Sequence, residues 1–186
     1  DFSQGNVGDF PAQWNTNGSG EIVTIGNIAG KWLKTASEIR YAPMLNGKVF
    51  PDNYTIEFDA IYKADDEQVG DNTFLALEIF SSPSGKSLDA ESGTGIQFLT
   101  QGGSVTAHSW LEGQMQFENA QDKQLLLNKN GKVIHYSIWV QKQRCRLYVG
   151  ESKVYDLPML MPAGANANAI GFGVGMIGVV GFCFGA

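Results

Sequence analysis

Apolar and polar side chains alternate with a period of two along most of this chain, and no stretch sustains a helical period over three turns. Glu21–Ile25 and Lys31–Thr35 read as early strands, separated by a turn holding Gly26 and Gly30. Tyr54–Lys63 alternates most clearly: Ile56, Phe58, Ala60 and Tyr62 share one face, and Thr55, Glu57, Asp59 and Ile61 the other. Asp65–Asn72 is acidic and polar and reads as a loop. Thr73–Phe80 is apolar on both faces apart from Glu78, the pattern of a strand covered on both sides. Ser81–Gly93, with Pro83 and Gly85, reads as a long loop. Thr94–Thr100, Ser104–Trp110 and Gly113–Glu118 follow as short strands, the first two joined by a hairpin turn at Gln101-Gly102-Gly103. Ala120–Leu127 is the best helix candidate, a short one. Lys132–Gln141 and Arg144–Gly150 read as a hairpin, Lys153–Leu157 as a strand stopped by Pro158, and Pro162–Asn168 as a loop. About a dozen strands with turn signals every 8–12 residues predict an all-β, two-sheet antiparallel sandwich. No repeat or linker interrupts the pattern, so residues 1–186 are expected to form one domain.

Composition narrows the classes of partner. The chain has 186 residues, 13 basic and 19 acidic side chains and a net charge of −6, with no basic cluster. A nucleic-acid partner would need such a cluster to displace counterions from phosphates, and an anionic membrane surface would need one too. The last 17 residues, from Ile170 to Ala186, carry no charge, but six of them are glycine and Gly171, Gly173 and Gly175 alternate with apolar residues. They read as two glycine-rich core strands rather than a membrane-spanning helix, which needs roughly 20 predominantly apolar residues. Cys145 and Cys183 lie far apart in sequence; they are either two small buried hydrophobes or one disulfide. The chain begins at Asp1 in what already reads as domain sequence, as expected of a mature chain with a leader removed.

Two segments resemble a known family. Val133-Ile-His-Tyr-Ser-Ile-Trp-Val-Gln-Lys-Gln-Arg-Cys-Arg-Leu-Tyr-Val-Gly-Glu-Ser-Lys-Val-Tyr-Asp-Leu-Pro158 resembles the strand pair near the end of laminin G-like and other concanavalin A-like domains. The opening Asp1-Phe-Ser-Gln-Gly-Asn-Val-Gly-Asp-Phe-Pro-Ala-Gln-Trp14 is similar to the first segment of such domains. With Tyr54–Asp59, these segments look most like the sandwich domain of cell-envelope proteins of the outer membrane protein A family. The resemblance implies a concanavalin A-like jelly roll in a periplasmic, outer-membrane-associated or extracellular protein. It carries no peptidoglycan-binding activity over, because no peptidoglycan-binding segment is present. The Phe182-Cys-Phe-Gly-Ala186 finish departs from the polar or charged last strand usual in the family.

Several residues are candidates for chemistry. The fold class implied by the resemblance includes glycan-cleaving enzymes, which hold two carboxyls about 5–5.5 Å apart when retaining and about 6.5–9.5 Å apart when inverting. Glu57 and Asp59 are two apart on one strand, opposite the core-facing Ile56, Phe58 and Ala60, and read as a solvated outer pair. The Glu-x-Asp-x-x-Glu strand of family 16 glycoside hydrolases is absent, since Tyr62 stands at the third acidic position. Glu78, among apolar neighbours, is the candidate for a raised pKa and for a catalytic acid; the plainer reading is a partly exposed residue on a concave face. His108 and Trp110 share a strand face and, with Glu78, form the candidate glycan-binding set, because an aromatic ring stacks on a sugar face. The plainer reading there is an exposed strand with one half-buried tryptophan. His135 is expected to make a structural hydrogen bond, and Trp14, Trp32 and Trp139 to be core or capping residues. Asp1, Asp9 and Asp59 invite a calcium reading, Asp1 and Asp9 most directly, although no Asp-x-Asp-x-Asp loop is present. Gly171-Phe-Gly-Val-Gly175 is strand glycine rather than a dinucleotide motif, because no helix follows it. No Gly-x-Ser-x-Gly elbow occurs. Three functions remain: a non-catalytic module of a secreted or envelope protein binding a polysaccharide, cell-wall glycan or another surface partner; a glycoside hydrolase using Glu78; and a purely structural spacer.

Overall fold

The computed structural model describes residues 2–63, 74–83, 87–123, 131–175 and 179–183, residue 63 and the last five as backbone. The period-two pattern produces strands throughout. One seven-stranded sheet, A, is ordered β1 (Trp14–Thr16), β4 (Ile39–Pro43), β13 (Ala169–Val174), β6 (Phe74–Phe80), β7 (Gly95–Gln101), β8 (Ser104–Leu111), β9 (Gln114–Asp122). The second, B, is ordered β12 (Ser152–Leu157), β11 (Arg144–Val149), β10 (Val133–Gln141), β5 (Asn53–Lys63), β14 (Val179–Cys183), β3 (Ile28–Thr35), β2 (Gly20–Ile25). All pairings among the described residues are antiparallel.

The inner faces of the two sheets make one core. Ile56, Phe58, Ala60 and Tyr62 of β5 are buried there, as are Ile134, Tyr136, Ile138 and Val140 of β10, facing Leu75, Leu77, Ile79, Ile96, Phe98, Val105 and Ala107 of sheet A. The Phe58 ring stacks on Tyr136 with centroids 4.9 Å apart and meets Phe172 edge-on at 5.2 Å. Each such side chain stabilises the fold by about 1.5–3 kcal/mol through its removal from water. The Tyr62 and Tyr136 hydroxyls satisfy each other at 2.6 Å, so this core buries two polar groups without stranding either.

The structure corrects several expectations. Ala120–Asp122, the start of the helix candidate, belongs to β9 and pairs with Ser104–Thr106; residues 124–127 lie outside the described residues. Strand pairing to β8 outweighs a weak local helical preference. The Asp65–Asn72 loop also lies outside the described residues. Two short strands, β1 and β4, were not anticipated. The tail forms β13 and β14, two strands, as its glycine alternation predicts. No helix among the described residues is long and apolar enough to cross a membrane. Cys145 is a buried free thiol, pushed up to about 12 by burial.

Candidate functional site

Glu78 faces away from the core. On β6, Leu75, Leu77 and Ile79 point inward, so Ala76, Glu78 and Phe80 point to the outer face of sheet A. Register carries that face across the sheet: Gly171 of β13, Glu78 of β6, Gln97 of β7, His108 of β8 and Glu118 of β9 stand opposite one another in a row. Two residues further along, Ala169, Phe80, Gly95 and Trp110 form the parallel row.

Segment 87–93 lies over the middle of this face. Gly113 donates to the Gly93 carbonyl, Ser87 to the Ser82 hydroxyl, and Ala90 to the Glu78 carboxyl. Ala90 packs with Phe80 and Trp110 in a small second apolar cluster. One glycine permits this approach: a Cβ on Gly171 would lie 2.9 Å from the Leu88 carbonyl oxygen, whereas one on Gly95 would meet the neighbouring strand β6, 2.5 Å from the Ile79 carbonyl oxygen.

Beneath the cover Glu78 is fully buried and both its oxygens are engaged. Oε1 accepts from Arg40 Nη1 at 2.6 Å and from Gln97 Nε2 at 2.9 Å; Oε2 accepts from the Ala90 N–H at 2.6 Å. Burial pushes the carboxyl up, and Arg40, Gln97 and Ala90 pull against it. Three donors at these lengths suit the ionised form. Arg40 is in turn held above its ordinary value: burial opposes its charge, but Glu78, Asp89 and Glu91 outweigh it. Its second nitrogen, Nη2, reaches Glu91 at 3.6 Å, and Gln97 Nε2 touches Glu91 at 3.4 Å. Burial would raise Asp89, but the Ser92 hydroxyl and N–H, with Arg40, keep it below its ordinary value. The result is a fixed polar array of Arg40, Gln97 and Glu91 around a hidden carboxylate.

His108 adjoins the array. Its Nδ1 is buried with no hydrogen-bond partner. Burial lowers its pKa, against the pull of Glu118 and Glu91. Its ring lies 5.2 Å from that of Trp110, so the shared strand face read from the sequence is real. The ring of Trp110 is not the open platform that reading implied, since the residue is only 5% exposed beneath the cover. Glu78 likewise is clamped rather than partly exposed, and a general acid must reach its substrate.

The other sequence candidates fall elsewhere. Glu57 and Asp59 lie on the outer face of sheet B: Asp59 pairs with His135 Nδ1 at 2.8 Å, the hydrogen bond expected of that histidine. Glu57 accepts from the Ser137 hydroxyl at 3.2 Å. Trp32 is buried and Trp14 packs against Phe2 and Phe172. Trp139, expected as a core or capping residue, is 44% exposed. Its indole N–H donates to Ser137 Oγ at 2.9 Å, and its ring lies 5.7 Å from Tyr148. Asp1 is outside the described residues, and Asp9 accepts from the Asn6 side-chain amide at 3.1 Å. No group of three or more His, Cys, Asp or Glu side chains converges as a metal site among the described residues.

No family description and no curated protein matches the sequence. Solved structures do. The Emp46p carbohydrate recognition domain in its potassium-bound form is 9% identical over 94% of this chain and 90% of its own, with a TM-score of 0.61. Carbohydrate-binding module CBM66 from Bacillus subtilis is 16% identical over 91% of each chain, with a TM-score of 0.54. Sheep galectin-11 in complex with glycerol is 11% identical over 80% of this chain and 99% of its own, with a TM-score of 0.55. The fold is a jelly-roll β-sandwich. At such identities the likeness extends to fold, and the site rests on its own geometry.

Proposed function

We propose that this jelly roll is a non-catalytic glycan-binding module, and that its ligand meets the outer face of sheet A at the array of Arg40, Glu91, Gln97 and His108. The observation that carries the reading is the clamp at Glu78. A buried carboxylate holding Arg40 and Gln97 in place spares a ligand the cost of ordering them, which is how a sheet face becomes a recognition surface. The mixed charges of Arg40 and Glu91 suit a neutral, hydroxyl-rich ligand better than a phosphate or a basic peptide. The likeness of fold to carbohydrate-binding proteins raises the prior by analogy. The same clamp speaks against hydrolysis at Glu78, whose oxygens are both occupied.

The natural setting fits an envelope or secreted protein, periplasmic, outer-membrane-associated or extracellular, with a cell-wall or other polysaccharide as partner. The resemblance of Asp1–Trp14 and 133–158 to the sandwich domain of outer membrane protein A family proteins motivates that setting. A glycan array of cell-wall and dietary polysaccharides, followed by titration calorimetry of any hit, tests the function. Binding that falls at least tenfold in both His108→Ala and Glu91→Ala, with the fold intact by circular dichroism, is expected. No hit across the array, or a hit indifferent to both changes, overturns the assignment.

A further inference from the structure

One cleft among the described residues lies off both sheet faces. It lies at one end of the sandwich, between residues 49–52, the β10–β11 turn at Lys142 and Gln143, and residues 161–167, and has a volume of about 370 Å³. That is within the range of small-ligand sites, at the low end, so it suits one ring rather than a chain of them.

Its lining combines two kinds of group. Phe50 and Tyr54, rings 5.1 Å apart, supply aromatic surface, with Val140 and Met161 beside them. Gln143 and Asn166 supply amides, and Asp52 and Lys142 contribute one charge of each sign. The Tyr54 hydroxyl lies behind this lining, buried and without a hydrogen-bond partner. Lys142, with φ of 56°, turns the two-residue β10–β11 hairpin, and Asn166, with φ of 45°, turns the chain on the facing side. The lining backbone is tied down: Lys142 N–H donates to Asp52, Met161 N–H to Gln143 and Phe50 N–H to Ala167.

We infer that this cleft is a second binding site, for a single neutral hydroxylated ring such as one sugar residue. Aromatic and amide lining together fit a ring with a C–H face and hydroxyl edges. The balance of Asp52 against Lys142 argues against an anion or a cation. The site is separate from the sheet A array and stands whether or not that array binds glycan.

The test is a titration of isotope-labelled protein with glucose, galactose, N-acetylglucosamine, xylose and fructose, each to high millimolar concentration, read by amide shifts. At least one sugar should move resonances of residues 49–52, 142–143 and 161–167 saturably. Ala163→Trp, at an exposed residue of the lining, should block the cleft without touching the core. His108→Ala should leave these shifts in place, which separates this site from the sheet A array. No saturable shift with any of the five sugars, or shifts that survive Ala163→Trp, would overturn the assignment.

Discussion

Glu78 shows how one polar residue in an apolar strand acquires meaning from its neighbours. Its carboxylate joins β4 through Arg40, β7 through Gln97 and the cover through Ala90. Removing one member of a buried pair leaves the other charge without a partner, which costs about 3–5 kcal/mol. Arg40 retains 29% side-chain exposure, so Glu78→Ala should fall at the low end, about 3 kcal/mol by urea denaturation; a loss under about 1 kcal/mol would mean the clamp carries little of the fold. His108 is the titrating member of the same face. Burial lowers its pKa in the folded state from the ordinary 6.5, so the unfolded chain takes up its proton first. Above 6.5 both states are neutral there and the contribution to stability is constant; it declines as pH falls through 6.5 and levels off below the depressed folded value. Glu118 on β9 and Glu91 in the cover moderate the effect without reversing it. Melting temperature against pH should therefore fall less steeply below 6.5 in His108→Gln than in the parent protein, and identical slopes would assign that part of the acid sensitivity to other groups.

Among the elements, β10 marks what the pattern could and could not tell. The strand was plain in the sequence, as was its hairpin with β11, because Val133–Gln141 alternates without a break. Which side faced in was legible too: Ile134, Tyr136, Ile138 and Val140 are all apolar, while the other set contains His135, Ser137 and Gln141. Trp139 belongs to that second set, so its exposure follows from alternation, and only the habit of reading tryptophan as core obscured it. The burial of Trp110 and Glu78 was not legible, since it depends on segment 87–93 folding back over them, a contact set by chain reversal rather than by period. The helix expected at Ala120 failed for a similar reason, since pairing with β8 decides those residues. Two tryptophans can test the distinction. Trp32, 2% exposed, should cost about 3–5 kcal/mol when changed to Ala, and Trp139→Ala under about 1 kcal/mol, as at most surface positions. Comparable losses in chemical denaturation would contradict the buried and exposed positions of these two rings.

At the scale of the whole molecule, two sheets enclose one continuous core, so their outer faces are free to differ. Sheet B presents Trp139 and the Asp59–His135 pair openly, whereas sheet A carries Glu78 and Trp110 under a strap of chain. That strap fits because glycine stands where its backbone passes. Gly171 is opposite Glu78 in register, and a Cβ there would meet the Leu88 carbonyl at 2.9 Å and the Phe80 ring at 3.1 Å. The neighbouring outward glycine, Gly173, would meet only the Ala76 methyl at 3.5 Å, an ordinary contact. Gly171→Val should therefore push residues 87–93 away from the sheet and break the Ala90 N–H bond to Glu78, while Ile170 and Phe172 keep β13 anchored from the core side. Hydrogen exchange at the Ala90 amide should accelerate at least tenfold, with exchange in β5 and β10 unchanged, and Gly173→Ala should match the parent protein. Loss of the strap would also expose Trp110, so a red shift in its fluorescence should accompany the faster exchange. If the Ala90 amide stayed as protected in Gly171→Val as in the parent, the strap would be held by its own loop geometry, and the face of sheet A would owe its shape to residues 87–93 alone.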